Sequence, residues 1–145
     1  AQFEVVAVLT PSVAKDLLPW LAANPTQRLV LANRNYERMT QTAENGIDIV
    51  SFFKEVDDPS IPVENVPPCI SGQTPRQPSA ILDRQMLTDE GKIDIFGYAR
   101  TYTLDHYYTK SHRCRHCIHN DGCRGAHIND IRAHGYSILN PVLCE

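Results

Sequence analysis

The feature that most constrains this chain is its set of five cysteines, three of which, in Cys114-x2-Cys117-x5-Cys123, are spaced as ligands of one metal centre. A tight turn between cysteines two residues apart aims both thiolates the same way. A third after a short polar loop, His119-Asn120-Asp121-Gly122, closes a face of the centre. The fourth ligand must come from elsewhere. Cys69 suits that role, separated from Cys114 by 44 residues and standing behind two rigid prolines in Pro67-Pro68-Cys69. Cys144 is left as a spare ligand or a free thiol.

The charge pattern agrees with bound thiolates. The formal charge is −3 overall, yet from His106 to His134 five Lys/Arg and two Asp/Glu give +3, which leaves −6 elsewhere. All six histidines fall in this same segment. Lys110, Arg113, Arg115 and Arg124 flank the cysteines and can compensate several negative sulfurs, while Gly125 lets backbone N–H groups approach them. Disulfides fit poorly, since five is an odd number and nothing else suggests secretion. Structural zinc is the serious rival, with His127 at Cys123-x3-His127 as its substitute ligand, although zinc sites usually pair two knuckles and only one Cys-x2-Cys is present. The reading adopted is an iron–sulfur cluster on Cys69, Cys114, Cys117 and Cys123, with His127 and Cys144 in reserve.

The first half reads differently. Phe3–Leu9 is a nearly continuous apolar run, as a strand buried on both faces requires. Thr10-Pro11 then opens a helix with Val13, Leu17, Trp20 and Leu21 at helical spacing, stopped by Asn24-Pro25. Arg28–Ala32 is a second strand, Tyr36–Glu44 a second helix closed by Asn45-Gly46, and Ile47–Phe53 a third strand or a strand running into a helical turn. This alternation predicts an α/β fold: parallel β-α units over residues 1–61 that resemble part of an incomplete (β/α) barrel. Two and a half units cannot close a barrel, so exposed sheet edges need cover. A connector rich in proline, with six of the ten between Pro59 and Pro78, leads into an irregular α+β cluster-binding region over residues 62–145. There Ile93–Phe96 and Tyr98–Tyr108 look β-prone, and Ala126–His134 forms a short helix ended by Gly135.

At these residues the chain resembles the C-terminal region of radical S-adenosylmethionine enzymes that carry an auxiliary cluster, of the SPASM and twitch type. The likeness rests on Pro67-Pro68-Cys69, then Cys114, Cys117, Cys123 and Gly125, a short helix, Gly135-Tyr136 and Pro141-Val142, and covers roughly residues 62–142. It implies that the four cysteines hold an auxiliary [4Fe–4S] cluster that relays electrons or positions substrate. It also implies that residues 1–57 are the last units of a partial barrel. The catalytic Cys-x3-Cys-x2-Cys, which leaves one iron open to S-adenosyl-L-methionine, is absent. The chain is therefore not expected to be catalytic alone, and a second polypeptide or a preceding region would supply the catalytic cluster. Where the fuller SPASM pattern has a further cysteine this chain has His127, so a second auxiliary cluster is not expected.

Other residues are read more plainly. His112, His116 and His119 are solvated loop residues or donors to cluster sulfurs, and Tyr102, Tyr107 and Tyr108 pack strands. Trp20 belongs to the core, and Asp48, Asp57 and Asp58 could line a barrel mouth. No apolar run approaches the ~18 residues of a membrane span, and no charged-then-apolar leader is visible. The chain begins with Ala1, as a processed chain or a fragment would, and a cytoplasmic location is the default expectation. A zinc-stabilised, nucleic-acid-binding module is the competing function, but five Lys/Arg without a dense stripe argue against nucleic acid.

Overall fold

A computed structural model describes residues 4–24, 28–56, 58–77 and 82–144. Phe3, Pro25, Asp57 and Pro78, which the sequence reading used, lie outside the described residues. Strand β1 (Val5–Leu9) leads through Thr10 into helix α1 (Pro11–Ala23), and the Thr10 hydroxyl caps that helix by accepting from the Val13 amide at 3.4 Å. Strand β2 (Leu29–Asn33) follows, buried at every residue. Helices α2 (Met39–Asn45) and α3 (Ile49–Glu55) come next, then β3 (Val63–Glu64). The three strands make one parallel sheet in the order β1-β2-β3, with Val5 opposite Leu29 and Leu31 opposite Val63. Among the described residues this is an open α/β sheet with no barrel closure.

Ile47–Phe53 is not the third strand. Asp48 accepts from the Ser51 amide at 3.0 Å and from its hydroxyl at 2.7 Å, which caps a helix. Ile49, Phe52 and Phe53 then fall at helical spacing on one buried face. The third strand is instead the two-residue β3 inside the proline-rich connector, so a boundary at residue 61 cuts between β2 and β3 of a single sheet. Leu9, Leu17, Leu29, Leu31, Ile49, Phe52, Phe53, Val63 and Val66 form the main apolar core. Trp20 is outside it, 41% exposed on the far side of α1. Strand β1 is not buried on both faces as its apolar run predicts: among the described residues it is an edge of the sheet, and Val5, Val6 and Val8 are exposed there.

The rest of the chain has little strand. After α4 (Pro68–Ser71) and a 3-10 turn at Arg84–Met86, helix α5 spans Ile95–Asp105. The aromatic run Tyr98–Tyr108 is thus helical except at its end. Asp94 starts the helix by accepting from the Phe96 and Gly97 amides, and Tyr98 and Tyr102 stack one turn apart on its surface. Strand β4 (Tyr108–Thr109) pairs antiparallel with β5 (Ala126–His127), which runs straight into α6 (Ile128–His134), and 3-10 turns cover His112–His116 and Tyr136–Ile138. No helix among the described residues is long and apolar enough to cross a membrane.

Candidate metal centre

The short β4-β5 ladder pins both ends of the loop that carries Cys114, Cys117 and Cys123. Within the loop, Ser111 caps a 3-10 turn by accepting from the Arg113 amide, and the Cys117 amide donates to the Cys114 carbonyl at 3.0 Å. The turn expected between the paired cysteines is therefore present. The Asn120 amide continues it by donating to the Cys117 carbonyl, and the Cys123 amide donates to the His119 carbonyl at 2.9 Å. Cys69 arrives from the other side as the second residue of α4, whose first turn is set by buried Pro67 and Pro68.

Cys69, Cys114, Cys117 and Cys123 all line one small cavity of about 10 Å³, room for a water-sized body, with His119, Asn120 and Lys110 at its rim. Among the described residues no group of three or more His, Cys, Asp or Glu side chains is arranged so as to hold a metal ion. Burial pushes the Cys69 thiol up; a hydrogen bond from the Asn140 backbone opposes this, and the other three sulfurs add to it. Burial likewise raises Cys123, against the Gly125 N–H and the Lys110 charge. Without a metal these two thiols keep their protons at neutral pH, and any cation that binds must displace them.

Gly125 is required where it stands. Its amide donates to Cys123 Sγ at 3.2 Å, its φ is +86°, and a Cβ there would lie 1.9 Å from the Thr109 carbonyl oxygen. The backbone thus comes up against a sulfur at a position that no side chain could occupy.

The basic residues divide. Lys110 acts on the centre and is held by Asn120, donating to its carbonyl and its side-chain oxygen at 2.8 and 2.9 Å. Arg113 instead donates to the Tyr136 and Leu139 carbonyls, which ties the C-terminal segment against the cysteine loop. Arg124 lies over the Tyr108 ring at 4.0 Å. Arg115 is exposed and touches His116. Of the three loop histidines only His119 reaches the cavity; His112 and His116 are exposed.

The reserve ligands are elsewhere. His127 is fully buried with both ring nitrogens engaged: Nδ1 accepts from the Asn129 amide at the start of α6, which leaves Nε2 to donate to the Thr103 carbonyl at 2.7 Å. Burial lowers its pKa, so the ring is neutral and serves as a helix cap. Cys144 is exposed and does not line the cavity. Asp48 caps α3 rather than facing a mouth, and Asp58 is occupied by Ser60.

A set of asparagines, not singled out by the sequence, joins the two halves. Asn33 Nδ2 donates to Asp130 Oδ2 at 3.0 Å, and Asn129 Nδ2 donates to the Tyr36 and Glu37 carbonyls. Tyr108 is not only a packing residue: its hydroxyl receives Asn35 Nδ2 at 2.7 Å and donates to Asn65 Oδ1 at 2.8 Å. Burial raises the Tyr108 pKa above its ordinary value, which keeps the phenol protonated. Polar residues scattered over a hundred positions carry no local pattern that marks them as partners.

No family model matches this chain, and no curated protein or solved structure matches it either.

Proposed function

We propose that the chain is the auxiliary-cluster part of a radical S-adenosylmethionine enzyme, holding a [4Fe–4S] cluster on Cys69, Cys114, Cys117 and Cys123. The observation that carries this is that four cysteines line one cavity, one of them brought across 44 intervening residues. An all-thiol set suits an iron–sulfur cluster or a structural zinc. In a cluster each thiolate holds a different iron, whereas tetrahedral zinc draws its thiolates to ~2.3 Å from one point. The single Cys-x2-Cys, without the second knuckle that zinc sites usually pair with it, favours the cluster. The Gly125 and Asn140 N–H groups directed at Cys123 and Cys69 are donors of the kind that tune cluster sulfurs.

When bound, the cluster would supply one-electron transfer or an anchoring point. The chain's own residues would seat it, shield it with Leu139 and Pro141, and place Lys110 beside Cys123. The parallel sheet would be the last segment of a partial barrel, with the free β1 edge continued by strands of a second polypeptide or preceding region that carries the catalytic cluster. The proposed setting is cytoplasmic, with no role in nucleic-acid binding.

Anaerobic purification with metal and sulfide analysis tests this. About four irons per chain and broad absorption near ~400 nm are expected; a colourless protein with one zinc per chain selects the zinc-stabilised module instead. Cys69→Ala is expected to abolish iron retention and Cys144→Ala to leave it intact. The reverse result would show the fourth ligand to be misassigned.

A further inference from the structure

One wall of the cysteine cavity has little structure of its own. Among the described residues, those beyond the 3-10 turn at Tyr136–Ile138, residues 139–144, form no helix or strand. Yet this segment reaches the centre repeatedly. Leu139, 1% exposed, and Pro141 line the cavity, and the Asn140 backbone N–H donates to Cys69. The Val142 carbonyl accepts from the Ile118 amide, next to Cys117, at 2.9 Å. The segment thus bridges the two pieces of chain that carry the cysteines, α4 on one side and the cysteine loop on the other.

Its hold on the loop runs through Arg113, the neighbour of Cys114. One nitrogen, Nη2, donates to the Tyr136 carbonyl at 3.2 Å and to the Leu139 carbonyl at 3.0 Å. The Leu139 amide also donates to the Tyr136 carbonyl at 3.1 Å, so Arg113 clasps both ends of the turn from which the segment departs. Among the described residues Arg113 has no carboxylate partner, and both of its acceptors lie in this stretch. The other walls are fixed independently. Cys69 follows buried Pro67 and Pro68 and the core residue Val66, while Lys110 and Gly125 flank the β4-β5 ladder.

We propose, on the reading that the four cysteines hold a metal, that Arg113 is the latch of a strap, residues 139–142, which closes the centre and sets how fast its metal leaves. The same device serves a cluster or a zinc ion. Hydrogen bonds from a charged donor contribute more than neutral ones. Two of them from one guanidinium let a single side chain decide whether an otherwise irregular segment stays docked. With the strap lifted, Cys69 loses its backbone donor and the cavity loses its Leu139 and Pro141 lining. Water and competing ligands then reach the thiolates.

Release of Co²⁺ from the loaded chain into excess EDTA, followed by loss of cobalt–thiolate absorption, tests the latch. A four-thiolate site accepts Co²⁺ whether its natural occupant is a cluster or zinc. Arg113→Ala should speed release about tenfold or more. Leu139→Ala, which leaves the charge near the sulfurs unchanged, should speed it too. In both variants hydrogen exchange should show the Ile118 amide losing protection, while the Cys117 and Cys123 amides, bonded within the loop, keep theirs. Release at the parent rate would overturn the latch and leave the cluster reading untouched. Acceleration by Arg113→Ala alone would also overturn it, since charge would then be the cause. Loss of protection at Cys117 and Cys123 along with Ile118 would do the same, because Arg113 would then serve the fold of the loop itself. A parent chain that takes up no Co²⁺ would overturn the metal centre and the latch together.

Discussion

The two halves of the molecule are held by different physics. Around the sheet, nine buried apolar residues pack into one core, with Leu31 fully buried and further aliphatics packed against it. Around the cysteines the apolar cluster is four residues, Cys114, Ala126, Ile131 and Leu139. One of those four is itself a cysteine of the centre. The remaining order there comes from 3-10 turns, a two-residue ladder, the Arg113-to-carbonyl bonds and the Asn33 and Asn129 bonds that tie α6 to the sheet half, each worth on the order of 1 kcal/mol net. So small a core offsets little of the conformational entropy of the residues around it. A cation bound by the four thiols would make up that difference.

Metal removal should therefore have the largest effect. Structural metal sites supply on the order of 10 kcal/mol to the folding of small domains, so a chelator should unfold the cysteine region and spare the sheet. Hydrogen exchange reads this directly: amides of residues 108–127 should lose protection while those of β2 keep it. Retained protection in the cysteine loop after chelation would break the contrast and show that its packing suffices. A pair of substitutions sharpens it. Leu31→Ala should destabilise the sheet by about 2–5 kcal/mol without lowering metal bound per folded chain. Gly125→Ala, with its Cβ against the Thr109 oxygen, should cost about 3 kcal/mol or more and appear first as lost metal. If the two variants lose metal equally, the halves are one cooperative unit.

What the sequence made visible follows the same division. β1, α1, β2 and α2 were legible because their apolar residues recur at strand or helix spacing and their ends carry Thr10-Pro11 and Asn45-Gly46. Ile47–Phe53 misled because β-branched and aromatic residues favour strands, yet the Asp48–Ser51 cap was present in the sequence and is the stronger signal. The same holds for Tyr98–Tyr108, where Asp94 caps α5. β3 is two residues long and leaves no pattern to read. The cysteine spacing pointed to a shared centre; the four cysteines line one small cavity, and among the described residues they form no group arranged to hold a metal ion. It could not show that His127 caps α6, nor that Arg113 and Arg124 serve packing rather than sulfur, since both depend on contacts distant in sequence.

The smallest expected effect lies at the seam between the halves, where Asp130 is buried against Asn33. Burial pushes its carboxyl up to about 6, and the Asn33 hydrogen bond offsets this only in part. A folded-state pKa above the unfolded one of 3.8 means that this group favours folding most below that value. Its contribution then fades as pH rises through about 6, so at neutral pH the buried charge is a burden of order 2–3 kcal/mol. Asp130→Asn removes the charge and keeps an amide oxygen for Asn33 Nδ2. It should raise stability at pH 7.5 by about 1–3 kcal/mol, with the gain shrinking toward zero near pH 4. Urea midpoints of both proteins across that range measure it, and loss of metal in acid cancels because the thiols are common to both. Equal pH slopes would mean that the carboxyl carries no buried charge, and the seam would then be as ordinary as the core beneath it.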